Sequence, residues 1–92
     1  MILSYADTDT KQLFTTERNR RFAAIARPAL RKLIQLNNAG VLQDMAVPPG
    51  NRLEALRGNL AGFHSIRVND QWRIVFQWTE AGAEKVAIVD YH

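Results

Sequence analysis

Two arginines, an aspartate and a histidine in the last third of the chain have the spacing to build a surface that binds anions and moves protons. Arg67 and Arg73 flank the connection Asn69-Asp70-Gln71 between two alternating segments. Ile66 and Val68 are apolar where Ser65 and Arg67 are polar. Trp72, Ile74, Phe76 and Trp78 form one apolar face, with Arg73, Val75 and Gln77 on the other. Directly opposed residues of an antiparallel pair share a face. A three-residue connection therefore pairs Val68 with Trp72, Ile66 with Ile74 and Arg67 with Arg73. A two-residue connection would put Arg67 opposite Trp72, and a slip of one residue exchanges the faces. If Trp78 pairs with Lys85 in the next hairpin, Arg73 falls opposite Asp90 and Trp72 opposite Tyr91. Arg67, Arg73 and Asp90 then form a row, with His92 on the same side if the strand persists. Two facing arginines repel by up to about 1 kcal/mol, so a bound anion such as a phosphate would relieve the row. An imidazole with a reference pKa near 6.5 is suited to proton transfer close to neutral pH. Taken alone, a terminal histidine reads as part of a frayed chain end.

The elements that must position these groups are legible from periodicity. Residues 2–5 read as a short first strand. Asp7 or Asp9 can cap a brief helix carrying Leu13 and Phe14 on its buried side. Residues 15–21 read as a connection. A second helix is expected over about 28–38, with Pro28 in its first turn, Leu30, Leu33 and Ile34 at helical spacing and Gly40 as terminator. Residues 41–45 suit one short helical turn, and Pro48-Pro49-Gly50 breaks the chain sharply. Beyond it the pattern alternates, giving four strands at 52–56, 63–68, 72–79 and 85–91, with turns at 57–59, 69–71 and 80–84. Helices first and an antiparallel meander afterwards is an α+β pattern, with the helices on one face of the sheet. His64 lies on the Ile66 and Val68 side and reads as a buried, hydrogen-bonded core histidine.

Composition narrows the classes. Ninety-two residues suit one domain, spanning 1–92, around one core. Cysteine is absent, so disulfide, thiolate and cysteine–metal chemistry are excluded. Histidine, aspartate and glutamate show no metal-ligand spacing, and there is no phosphate-cradling glycine loop. No apolar run is long enough to cross a bilayer and no signal peptide is evident, so a cytoplasmic location is expected. The net charge is +3, which permits an anionic partner. Its densest basic stretch is Arg18, Arg20, Arg21, Arg27, Arg31 and Lys32. That stretch reads as a solvated helical face, or else as a phosphate-binding or docking stripe.

Three segments in order resemble the HigB toxin family of the RelE/ParE superfamily. They are Pro49-Gly50-Asn51-Arg52-Leu53-Glu54-Ala55-Leu56, His64-Ser65-Ile66-Arg67-Val68-Asn69-Asp70-Gln71-Trp72-Arg73-Ile74 and Val89-Asp90-Tyr91-His92. The resemblance implies a small, mostly antiparallel RelE-like sheet with two to three helices on one face and a concave basic face on the other. It implies the toxin of a type II toxin–antitoxin pair, which cleaves mRNA in the A site of the 70S ribosome. The implied partner is a helix-turn-helix antitoxin of HigA type, and no cofactor, metal or membrane is called for.

Metal-free RNA cleavage uses the nucleotide's own 2′-hydroxyl as nucleophile. It needs a base, a cation over the phosphoryl oxygens and an acid for the departing 5′ oxygen. Arg73 is the expected grip on the scissile phosphate, because a planar guanidinium fork suits phosphate oxygens; its structural alternative is an ion pair with Asp90. His92 is the expected proton carrier. Asp90 would orient His92 or accept the 2′ proton, and Tyr91 would stack on a base or pack against Trp72. Arg67 is expected to bind substrate. The resemblance also places Arg57 where relatives commonly carry a lysine, which keeps the charge and loses the proton shuttle. Glu54 stands where some relatives have a histidine, as a base or a solvent-facing residue. Two other classes fit the same fold: a ParE-like inhibitor of DNA gyrase, and a catalytically silent antitoxin-binding module.

Overall fold

A computed structural model describes residues 1–91. Helix α1 spans Thr8–Thr16 and α2 spans Ala26–Asn38, entered through a 3-10 turn at Ala23–Ile25. Strands β1 (Glu54–Ala55), β2 (Phe63–Arg67), β3 (Trp72–Thr79) and β4 (Gly82–Asp90) form one antiparallel sheet in the order β1-β2-β3-β4. The fold is α+β, as the periodicity predicts.

Asp7 is the cap of α1, its carboxylate accepting from the Thr10 N–H at 2.6 Å. That choice over Asp9 follows from the capping geometry, in which the side chain reaches the third residue onward. Leu13 is fully buried and Phe14 half-buried. On α2 the buried stripe is Ala29, Leu33 and Leu36, while Leu30 is half-buried and Ile34 is exposed. Of the expected stripe, Leu33 is fully buried, while Ala29 and Leu36 take the buried places expected for Leu30 and Ile34. The helix ends at Asn38, with extended Ala39 as its C-cap and Gly40 following.

The core packs α1, α2 and Met45 against Ile66, Ile74, Phe76, Val86 and Ile88 from one face of the sheet. Thr10, buried on α1, accepts the Ile88 N–H at 3.0 Å and ties helix to sheet. Asn51, fully buried, donates to the carbonyls of Met45 (3.0 Å) and Val47 (3.2 Å) and to Gln35, and accepts from Lys32. It fastens the Pro-rich break to α2. Burial, and secondarily the charge of Arg31, pushes the Lys32 amine down. Arg18, Arg20, Arg21, Arg27 and Arg31 of the basic stretch are exposed, while Lys32 is half-buried against Asn51, and Arg21 lies over the rings of Phe22 and Trp72.

Residues 2–5 do not form a full strand of their own. They run parallel along the outer edge of β4 through bridges at Ile2–Ala83 and Tyr5–Val86. Strand β1 is two residues long, against the five expected, because Arg52 turns left-handed (φ 47°) and a 3-10 turn begins at Gly58.

The register of β2 with β3 matches the alternation: Ile66 faces Ile74 and Arg67 faces Arg73. The next hairpin differs. Thr79 faces Gly82 and Trp78 faces Ala83, so the turn is only Glu80-Ala81. Thr79 Oγ1 accepts from the N–H groups of Ala81 and Gly82, both at 3.2 Å. A bulge then inserts one extra residue into β4 at Lys85, which is left-handed (φ 53°). The tight turn shifts the pairing by two residues and the bulge returns one. The net slip is one residue, and every side chain beyond it changes face. Arg73 thus faces Val89, and Asp90 faces Trp72.

Candidate active site on the open face of the sheet

The face of the sheet away from the helices carries Ser65, Arg67, Arg73, Val75 and Val89. Arg73 is its fixed point, only 7% exposed. Its Nε donates to Ser65 Oγ at 2.9 Å, and its Nη2 donates to the Arg52 carbonyl at 2.8 Å and lies 3.3 Å from Glu54 Oε1. Each contact follows from the register. Glu54 sits directly across from Ser65, and Ser65 is the diagonal neighbour of Arg73. A buried guanidinium would be costly unpaired, and here Ser65 Oγ, the carbonyls of Arg52 and Ser65 (the latter at 3.5 Å) and the Glu54 carboxylate pair with it. These contacts use Nε and Nη2 and hold the fork in one orientation.

Tyr91 joins the same face through the one-residue slip. The Arg73 guanidinium lies 5.0 Å from the Tyr91 ring centroid, within cation–π range. The Tyr91 N–H donates to the Gln71 carbonyl at 2.6 Å. Gln71 also donates through Nε2 to Asp90 Oδ2 at 3.1 Å. Gln71 therefore clasps the end of β4 from both sides.

The expected row of Arg67, Arg73 and Asp90 is corrected by this geometry. Arg67 and Arg73 are opposed, but Asp90 takes the parity of the helix-covered face and Tyr91 takes its place beside Arg73. Glu54, not Asp90, is the ion-pair partner of Arg73. Tyr91 stands over Arg73, while Trp72 packs edge-on against Phe22 at 5.5 Å. Arg67 forms an exposed ion pair with Asp70. His92 lies outside the described residues. His64 is half-buried beside Phe76, with ring centroids 6.3 Å apart; against expectation, its buried Nδ1 has no hydrogen-bond partner among the described residues.

Two hollows meet at Tyr91. One, of about 300 Å³, is polar and lined by Arg52, Arg67, Asn69, Asp70, Arg73 and Tyr91. Three guanidinium groups there face one carboxylate. The other, of about 700 Å³, is a groove with walls of Leu56, Leu60, Phe63, Val75, Val89 and Tyr91, and with Arg57 and Lys85 also lining it. Arg57 thus belongs to the open face, but in the apolar groove. Sequence reasoning missed Ser65 and Arg52 as holders of Arg73, and Gln71 as the clasp of the chain end. The available signal was Ser65 on the polar side of its alternating segment and Gln71 at the end of the connection before Trp72. No group of three His, Cys, Asp or Glu residues able to hold a metal occurs among the described residues, and no helix there is long and apolar enough to cross a membrane.

A small antiparallel sheet backed by two helices, with a guanidinium-rich open face, is the architecture of RelE-like toxins. Solved structures agree on the fold. The YoeB–YefM complex from Staphylococcus aureus matches with a TM-score of 0.62 at 17% identity, covering 100% of this chain and 98% of that one. The YoeB dimer from Staphylococcus aureus gives 0.60 at 22% identity over 99% and 94%. The sequence goes further: the family model for the RelE-like toxin of the type II toxin–antitoxin system HigB matches residues 3–92. Toxin HigB-1 of Vibrio cholerae serotype O1 (strain ATCC 39315 / El Tor Inaba N16961) is 40% identical over 85 residues, 90% of each chain. The chain belongs to the HigB-like toxin family, and so is the toxin of a type II toxin–antitoxin system, with an antitoxin as partner. Cleavage of mRNA on the ribosome is the activity of HigB toxins, and the gyrase-inhibitor alternative is not favoured.

Proposed function

We propose that this protein is a metal-independent endoribonuclease that cuts mRNA in the A site of the 70S ribosome, by attack of a 2′-hydroxyl on the adjacent phosphate. The observation that carries the reading is the fixed Arg73 guanidinium, oriented by Ser65 and the Arg52 carbonyl beside a hollow that also holds Arg52 and Arg67. A preorganised cation of this kind stabilises charge developing on the phosphoryl oxygens without reorganising during the step.

Glu54 is the proton acceptor. Its carboxylate is half-exposed on the substrate side and held by Arg73. As it takes the 2′ proton, the 2′ oxygen bonds to phosphorus and the bond to the 5′ oxygen breaks. The products are a 2′,3′-cyclic phosphate and a free 5′-hydroxyl. The leaving oxygen receives its proton from His92, an assignment that rests on imidazole chemistry and on its position after Tyr91. Arg67 and Arg57 bind backbone phosphates, Tyr91 orients Arg73 and stacks on a base, and Asp90 anchors the end of β4 through Gln71. The protein acts in the cytoplasm as one domain spanning residues 1–92, and is neutralised by a helix-turn-helix antitoxin of HigA type.

The test is to induce the protein without an antitoxin and map mRNA 5′ ends with and without active translation. New ends inside translated reading frames, absent when initiation is blocked, are expected. Arg73→Lys and the half-buried Arg67→Ala should each reduce them. Equal cleavage of untranslated RNA, or full activity in both variants, would overturn the reading.

A further inference from the structure

The three residues that join β2 to β3 divide their work. Asn69 holds the backbone: its Oδ1 accepts from the N–H groups of Gln71 at 2.9 Å and Trp72 at 2.8 Å. Gln71 clasps the end of β4. The Asp70 side chain, between them, takes part in neither task. It is 100% exposed, and its contact is the ion pair with Arg67, whose own side chain is 34% exposed. The turn therefore keeps its shape whether or not the Asp70 carboxylate stays on the guanidinium.

Among the described residues, Asp70 is the one carboxylate that lines the polar hollow, beside Arg52, Arg67 and Arg73. Arg73 is fixed from within the sheet through Nε and Nη2, whereas Arg67 is held by a carboxylate that stands in solvent. A carboxylate and a backbone phosphate present similar oxygens to a guanidinium fork. An exposed ion pair is weak enough to be exchanged for another anion. We propose that Asp70 occupies, in the free protein, the place on Arg67 that an RNA backbone phosphate takes in the complex, so that the phosphate must displace it. The proposal rests on the nuclease reading above, and gives Asp70 control of affinity and not of chemistry. Displacement costs the same in the ground and transition states, so its effect falls on KM and not on kcat. The same carboxylate weakens capture of any stray polyanion by the hollow.

The experiment compares the parent with Asp70→Asn and with Asp70→Ser, which lacks an amide able to bind a phosphate itself. One readout is KM and kcat for ribosomes programmed with a single message in a purified translation system. The other is the fluorescence-anisotropy affinity of the whole protein for a single-stranded oligodeoxynucleotide, which has no 2′-hydroxyl and is not cut. Both variants should lower KM and tighten the oligonucleotide about two- to fivefold, with kcat moving less. Glu80→Gln removes the same charge from an exposed turn at the far end of β3, and should leave both readouts unchanged. In an Arg67→Ala background the gain from Asp70→Asn should vanish. Unchanged or weaker binding by the Asp70 variants overturns the proposal. So does an equal gain without Arg67 or from Glu80→Gln, which would make it an effect of net charge. Absence of cleavage by the parent protein overturns the nuclease reading, while the oligonucleotide arm still decides whether Asp70 competes for Arg67.

Discussion

Removing the Ser65 hydroxyl tests whether Arg73 is held by design of the sheet. Ser65 is fully buried and accepts the Arg73 Nε–H at 2.9 Å. In Ser65→Ala the Nε–H loses its acceptor, while Nη2 keeps the Arg52 carbonyl and Glu54. A hydrogen bond to a charged group contributes about 1.5–3 kcal/mol, and the remaining partners put this case near the lower figure. For a domain of this size each kcal/mol lowers Tm by about 4–8 °C, so a fall of roughly 6–12 °C is expected. Part of any loss comes from the methyl surroundings and not from the bond. A double-mutant cycle with Arg73→Met isolates the bond, because Ser65→Ala should cost little once the guanidinium is gone. Urea unfolding of the four proteins gives the coupling energy, expected at about 1.5 kcal/mol. The same Ser65→Ala protein should cleave translated message at least about tenfold more slowly, since a misplaced catalytic group is costly. A coupling below about 0.5 kcal/mol would refute the claim that Ser65 fixes the fork.

Burial pushes the Tyr5 phenol above its ordinary value of 10.0. An acid whose folded pKa is raised lends stability that is complete below the unfolded value and is lost as pH climbs through the folded one. Unfolding free energy should therefore fall above pH 10, and Tyr5→Phe should flatten that fall relative to the parent. The comparison cancels the opposite trend from Lys32, whose lowered amine makes the fold gain stability with rising pH below 10.5. Parallel alkaline curves for the two proteins would contradict the buried phenol. Gly82 adopts φ 140°, and a Cβ there would lie 2.2 Å from the Met1 carbonyl oxygen. Gly82→Ala should cost about 1–3 kcal/mol and speed amide exchange at Leu3 and Ala6, whose N–H groups bond to β4. Unchanged exchange at both amides would show that the N-terminal edge does not depend on this glycine.

The two alternations around residues 69–71 were enough to set the β2–β3 register, because only one pairing keeps Arg67 away from Trp72 and the core. The same reasoning put Arg67 opposite Arg73 and both on the open face. The motif segments carried the family, and the helix–break–meander order carried the fold class. The register needed no long-range contact, since it rests on neighbours within one hairpin, and the family and fold class rest on the order of segments along the chain.

The membership of the site beyond Arg73 was decided elsewhere. Whether Asp90 or Tyr91 joins the arginine depends on the turn at Glu80-Ala81, which moves the pairing by two residues, and on one extra residue at Lys85, which alone shifts parity, neither altering the local alternation. Glu54 meets Arg73 only because β1, two residues long, returns to the sheet edge after the Pro-rich break that Asn51 anchors to α2. A chain's alternation determines which side chains share a face within a strand. Which strands' faces coincide is settled by turn length, bulges and packing, and these are properties of the assembled sheet.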